Sequence, residues 1–403
     1  MEATHSPRPH LPVPMKKETR LLHAGRHPER YHGAVNVPVF RASTILLPSV
    51  AAMESGGRSL FEGVRYGRFG TPTTFALEDT VAELEGGARC VATSSGLAAI
   101  SGALMAFLKC GDHLLMTDSA YAPTRKFCDE VLAGLGIETT YYDPLIGGDI
   151  AALIRPNTRV VFTESPGSLT FEVQDIPAIA AAAHAAGAIV MIDNTWGVLH
   201  FQPFEKGADI SIQAATKYIV GHADAMLGTI TTATEALWLK VKSSVAAFGH
   251  SPGTEEMYLG LRGLRTLPVR LAHHGATALA LTRWLEARPE VDRVLYPALE
   301  SDPGHALWKR DFGGACGLFG VILKPASKAA VDAMLDGYEH FKLGFSWGGF
   351  ESLVIPTGGH SIHRTATRWQ PAGPSLRFHA GLEAVEDLIA DLERGFERLT
   401  AIG

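Results

Sequence analysis

Cysteine is scarce in this chain. There are four in 403 residues, Cys90, Cys110, Cys128 and Cys316, and no two form a CxxC pair. They read as reduced, mostly core thiols without a catalytic signature, which fits a cytoplasmic protein. Positive charge is also short. Lys plus Arg number 36 against 42 Asp plus Glu, a net charge of −6, without the basic excess of a nucleic-acid binder. Long hydrophobic runs are missing as well. The most apolar segment, Ala178 to Ile192, is broken by His184 and Gly187, so no membrane span is expected. The opening "MEATHSPRPHLPVPMKKETR" is polar and Pro-rich, with no apolar signal core. No P-loop, no GxGxxG opening a helix and no HExxH occurs. His360 and His363 in "GHSIH" come with no third ligand, so no metal is expected. No internal repeat is visible.

What the chain does have is apolar material, 46% against 19% charged, enough for a substantial core in two or three domains. Residues 1–15 read as a flexible tail. Residues 16–70 read as an arm without clear periodicity, of a kind that wraps over a neighbouring subunit. From about 72 to 235 helices alternate with short apolar strands. "TPTTFALEDTVAELEGG" predicts a helix capped by Thr71 or Thr73, with Leu77, Val81 and Leu84 on one face and Gly86–Gly87 at its end. "DIPAIAAAAHAAG" predicts another, with Pro177 in its first turn. "HLLMTDSAY", "RVVFTESPG", "AIVMIDN" and "DISIQAAT" predict strands, hence a mostly parallel sheet covered on both faces. Ligands of such sheets sit beyond the carboxyl ends of the strands. Asp118, Glu164, Asp193 and Thr216–Lys217 should therefore converge. Beyond about 265, "GLFGVILK", "ESLVIP" and "SLRFHAG" predict strands, and "EAVEDLIADLERGFERL" predicts a final amphipathic helix.

Three features carry chemistry. In "SIQAATKYIVGH", Lys217 follows a buried-looking strand, where a lysine rarely sits without a partner. In an apolar site its lowered pKa makes it a nucleophile and proton shuttle, although an ordinary lysine there simply snorkels. Asp193 in "MIDNTW" ends an apolar strand, as a capping residue or as a carboxylate aimed at a cofactor. "ATSSG", residues 92–96, nearly matches the hydrolase elbow GxSxG, with Ala92 in place of the first glycine. It also reads as a small-residue turn opening a helix, whose free N–H groups suit an anion. Together, a strand-end Asp, a later Lys, an anion-binding helix start and the aromatic Tyr121 match what pyridoxal phosphate requires.

The chain resembles the Cys/Met-metabolism family of pyridoxal-phosphate enzymes from about residue 17 onward. The likeness rests on "YGRFGTPT", "DPLIGGDI", "ESPGSLTFEVQDIPAI", "IDNTW", "SIQAATKYIVGHADAM", "RGLRTLPVRL", "WKRDF", "SWGGFESL" and "LRFHAGLE". It implies an α/β pyridoxal-phosphate transferase fold (aspartate aminotransferase-like, fold type I) with a mostly parallel central sheet. Residues 1–69 would form a tail and arm, 70–264 the large cofactor-binding domain and 265–403 a smaller α+β domain. Lys217 would hold the cofactor covalently, Asp193 would pair with its ring nitrogen, and Tyr121 would stack on the ring. Gly96, Leu97 and Thr216 would hold the phosphate, and Tyr66 and Arg68 would reach the phosphate in a neighbouring subunit of a homotetramer. Arg377 would bind the substrate carboxylate, with Ser346, Trp347 and Tyr258 on the substrate side. Lys217, Tyr121 and Tyr66 are the expected catalytic residues. One departure stands out: Ala214 occupies a position where many members carry Ser, so backbone N–H groups or the neighbour's Arg68 would have to suffice.

The implied reaction is α,β-elimination of L-cystathionine to homocysteine, pyruvate and ammonia. Elimination or replacement at Cγ is the alternative, but relatives acting there commonly carry "SLGG" where this chain has "SWGG". Two readings from other classes stand beside these: a serine hydrolase using Ser94, and a non-catalytic anion-binding scaffold.

Overall fold

The computed structural model describes residues 15–55, 61–358 and 361–402. Most of the expected tail, and His360, lie outside the described residues. Seven strands form the larger sheet: β1 (Arg89–Thr93), β2 (His113–Thr117), β3 (Glu138–Tyr142), β4 (Thr158–Glu164), β5 (Ile189–Asp193), β6 (Ile210–Gln213) and β7 (Gly228–Thr232). Their order is β1-β7-β6-β5-β4-β2-β3. All run parallel except β7, which is antiparallel to both of its neighbours. The expected mostly parallel sheet is thus observed.

The strands are buried on both faces, which explains their continuous apolar runs. In β5, Met191 packs with helices Gly96–Phe107 and Glu235–Ala247 on one face. Its neighbour Val190 packs with helix Ile176–Ala185 on the other. Helix Pro72–Glu85 is capped by Thr71, whose hydroxyl accepts from Thr74 N–H, and ends at Gly86 in the left-handed region. Leu77, Val81 and Leu84 are fully buried on it.

The chain runs from β2 outward to β3, then returns to place β4 on the other side of β2. That reversal opens a crevice at the carboxyl ends of β2 and β4, the position where open α/β sheets bind ligands.

A second sheet holds β8 (Val291–Leu295), β9 (Leu318–Leu323), β10 (Lys342–Leu343), β11 (Leu353–Pro356) and β12 (Ser375–His379), in the order β10-β11-β12-β9-β8. The final helix Val385–Ile402 buries Leu388, Leu392 and Phe396, the stripe its sequence predicts.

Candidate active site

The carboxyl ends of β2, β4 and β5 bring Asp118, Glu164 and Asp193 to one edge of the sheet. Glu164 and Asp193 are paired directly across β4 and β5. Lys217 is displaced from its predicted place at a strand end. Strand β6 stops at Gln213, and Lys217 sits in the following turn, where its N–H donates to Ala214 O and its carbonyl accepts from Gly221 N–H.

Lys217 Nζ donates to Ser346 Oγ at 2.9 Å and lies 5.3 Å from the centre of the Trp347 ring. Burial and the nearby Arg377 lower its amine to about 8, against an opposing pull from Asp193. Asp193 is buried, and burial lifts its carboxyl above the usual range. Its Oδ1 accepts from the Thr195 hydroxyl at 2.6 Å and the Thr195 N–H at 3.0 Å. Its Oδ2 has no hydrogen-bond partner among the described residues. The supporting Thr195 carries no signal in a single sequence beyond its closeness to Asp193.

Tyr121 begins a short helix just past β2. Its N–H donates to Glu164 Oε2 at 2.7 Å, across the crevice between β2 and β4. Burial, then Asp193 and Glu164, raise its phenol. Burial raises the Glu164 carboxyl well above its ordinary range, and Asp193 adds to this. The sequence places Glu164 at a strand end but assigns it no task; its contact with Tyr121 is a product of the fold.

Helix Gly96–Phe107 starts beside these groups. Ser95 Oγ accepts from Ala98 N–H at 3.1 Å, so this serine is a cap. Among the described residues the N–H groups of Gly96 and Leu97 have no acceptor and no histidine bonds Ser94. A side chain at position 96 would meet Ala214 Cβ at 2.7 Å, so only glycine lets the helix start close on this turn. The Thr216 hydroxyl donates to Leu227 O and accepts from Leu227 N–H, tying the lysine turn to the start of β7.

Arg377 on β12 is buried, and its Nη2 donates to Phe345 O and Ser346 O. Its Nε is buried without a partner, and no carboxylate pairs with it among the described residues. Burial lowers it to about 10.

The remaining predicted residues make other contacts. Arg68 donates to Ala246 O at 2.6 Å, and Tyr66 packs on Phe69 with ring centres 6.0 Å apart. Tyr258 lies on helix Thr254–Leu264. No hydrogen bond or ring contact joins any of the three to Lys217 among the described residues. No cluster of metal-ligating side chains occurs among the described residues, and no helix there is long and apolar enough to cross a membrane.

Known proteins share this arrangement's sequence and fold. The profile of the Cys/Met metabolism PLP-dependent enzymes matches residues 18–397. A putative cystathionine beta-lyase of Rhizobium johnstonii is 47% identical over 95% of this chain and 96% of its own length. The cystathionine beta-lyase of Salmonella typhimurium is 45% identical, over 95% and 98%. The solved cystathionine gamma synthase of Xanthomonas oryzae superposes with a TM-score of 0.88 at 30% identity, covering 97% of this chain and 100% of that one. The fold is that of the type I pyridoxal-phosphate enzymes. With nearly the whole chain matched in sequence and in fold, it belongs to the Cys/Met metabolism PLP-dependent enzyme family.

Proposed function

We infer that this chain is a pyridoxal-phosphate-dependent carbon–sulfur lyase that cleaves L-cystathionine at the Cβ–S bond, releasing homocysteine, pyruvate and ammonia. One observation carries the reading: a half-buried lysine with a depressed amine stands beside a buried guanidinium that has no carboxylate partner among the described residues. The donor set fits the cofactor. The bare N–H groups of Gly96 and Leu97 at a helix start suit its phosphate, with Thr216 beside them. Asp193, whose Oδ2 is free, suits a protonated ring nitrogen, and that cation would relieve the cost of burying the carboxylate. Tyr121 offers a ring to stack on, and Lys217 an amine to anchor the cofactor.

Bound pyridoxal phosphate supplies a sink for the electrons left behind when the substrate loses its α-proton. The chain's own groups do the rest. Arg377 Nε binds the α-carboxylate and orients Cα–H toward Lys217. Lys217 Nζ takes the proton from Cα and returns one to the departing sulfur. Ser346 Oγ holds that amine on the side of Trp347. Tyr66 and Arg68 are proposed to complete the phosphate site of a neighbouring subunit, in a homotetramer of cytoplasmic enzymes. Tyr258 is proposed to line the substrate side.

Purified protein is expected to be yellow, with an absorption band that disappears in Lys217→Ala. A colourless wild type that gains no band with added pyridoxal phosphate would contradict this reading.

A further inference from the structure

Strand β12 presents Arg377 and His379 on the same face, since side chains two apart in a strand point the same way. Both reach the loop 345–349. Arg377 holds its start, at Phe345 O and Ser346 O. His379 holds its end: Nε2 accepts from Gly348 N–H at 3.1 Å. The loop is pressed against the lysine turn. Gly348 has φ of +85°, and a side chain there would meet the backbone of Lys217 and Tyr218 at 2.9 Å. Between these two anchors stand Ser346, which accepts from Lys217 Nζ, and Trp347, whose ring flanks it.

We propose that His379 is a positioning residue for the elimination, fixing the loop 345–349 so that Ser346 and Trp347 are set against Lys217. The inference rests on the functional reading above.

The chemistry of the neighbouring groups fixes how His379 acts. His274 lies behind it, ring centres 5.2 Å apart, and its Nδ1 donates to Ala380 O at 2.8 Å. His274 Nε2 is therefore an acceptor, buried and without a partner among the described residues. His379 Nδ1 is likewise buried and bare. The Gly348 N–H can only donate, so Nε2 accepts from it and the neutral ring carries its proton on Nδ1. Burial first, then His274, Arg377 and Lys217, push His379 down to about 3, so the ring stays neutral at working pH. Tyr218 closes the pocket with its ring 5.9 Å from that of His379.

The test compares His379→Phe, which keeps a ring but no nitrogen, with His379→Gln, whose amide retains an acceptor and a donor. Both are loaded with cofactor and assayed on L-cystathionine. The Phe variant is expected to keep the full cofactor band, because Lys217, Asp193 and Gly96 are untouched. Its kcat should fall roughly tenfold or more, with KM moving much less, since displacing a catalytic neighbour by a fraction of an ångström already costs rate. Gln should recover a large part of that loss. A Phe variant equal to wild type, or Phe and Gln falling equally, would overturn the proposal. Should the Phe variant fail to fold, His379→Asn carries the test. Its amide is too short to reach the loop, so a full band with reduced kcat is expected, and wild-type kcat would overturn the role. A wild type with neither band nor turnover refutes the functional reading itself; an active wild type matched by the variants refutes only the role of His379.

Discussion

Lys217 begins as a charged residue in an apolar setting, and the structure explains how it is tolerated. Its charge is weakened rather than paired. Burial and Arg377 bring the amine to about 8 from the 10.5 of a free lysine. The neutral amine is the nucleophile, so its reactive fraction grows as pH rises and saturates above the pKa. Uptake of pyridoxal phosphate by cofactor-free protein should accelerate from neutral pH and level off above about 8. Stopped-flow absorbance over a pH series checks this; a rate still climbing toward 10.5 would show an ordinary lysine. Asp193 and Lys217 were legible in the sequence because each follows an apolar strand. Thr216 was legible as a neighbour of Lys217, but its hydroxyl's partnership with Leu227 was not, since that contact depends on where β7 begins. Glu164 was visible as a strand end and mute about its partner, Tyr121, because only the sheet order brings β2 beside β4.

Among the elements, the connection from β11 to β12 best shows what sequence alone withholds. It leaves the smaller sheet and is clamped to the larger one by Asp118, which is almost fully buried at the end of β2. The carboxylate accepts from Arg125 Nη1, from the N–H groups of Thr365, Ala366 and Thr367, and from both threonine hydroxyls. Arg364 adds bonds to Thr170 and Glu172. Burial alone would raise the Asp118 carboxyl, but the N–H groups of Thr365 and Thr367, the Thr367 hydroxyl and Arg125 outweigh it and hold it below the usual range. Asp118→Ala removes the clamp and strands the Arg125 guanidinium, which is 4% exposed. The expected loss is about 3–5 kcal/mol, read from the denaturant midpoint of the loaded enzyme; a change under about 1 kcal/mol would show that the clamp is not a buried ion pair in effect. The sequence marks Asp118 as a strand-end acid, but its loop partners Thr365, Ala366 and Thr367 lie 247 to 249 residues away, beyond any local pattern. The antiparallel β7 escaped for a related reason: "GTITT" has no feature that encodes direction.

For the whole molecule, the fold class was legible because helix and strand periods alternate so regularly, and the site followed from the rule that ligands gather at strand ends. The proposed phosphate role of the arm belongs to the whole molecule as well. Among the described residues Tyr66 and Arg68 make contacts elsewhere, with Phe69 and Ala246, and the arm exposes Leu46, Val50 and Met53 to solvent, an apolar edge suited to burial against another subunit. If Arg68 serves a neighbouring subunit as proposed, Arg68→Ala and Lys217→Ala proteins should each be impaired. Mixed by co-refolding, they should regain activity, because some sites then combine an intact Lys217 with an intact Arg68; no regain would place Arg68 in its own subunit's site. The central claim is the bond that breaks, and the fold shared with a gamma synthase leaves that to chemistry. The direct measurement is identification of the products formed from L-cystathionine by the wild type, with Lys217→Ala as control. Homocysteine and pyruvate in equal amounts, absent in the control, are predicted. Cysteine and 2-oxobutanoate would contradict the account and assign cleavage at Cγ.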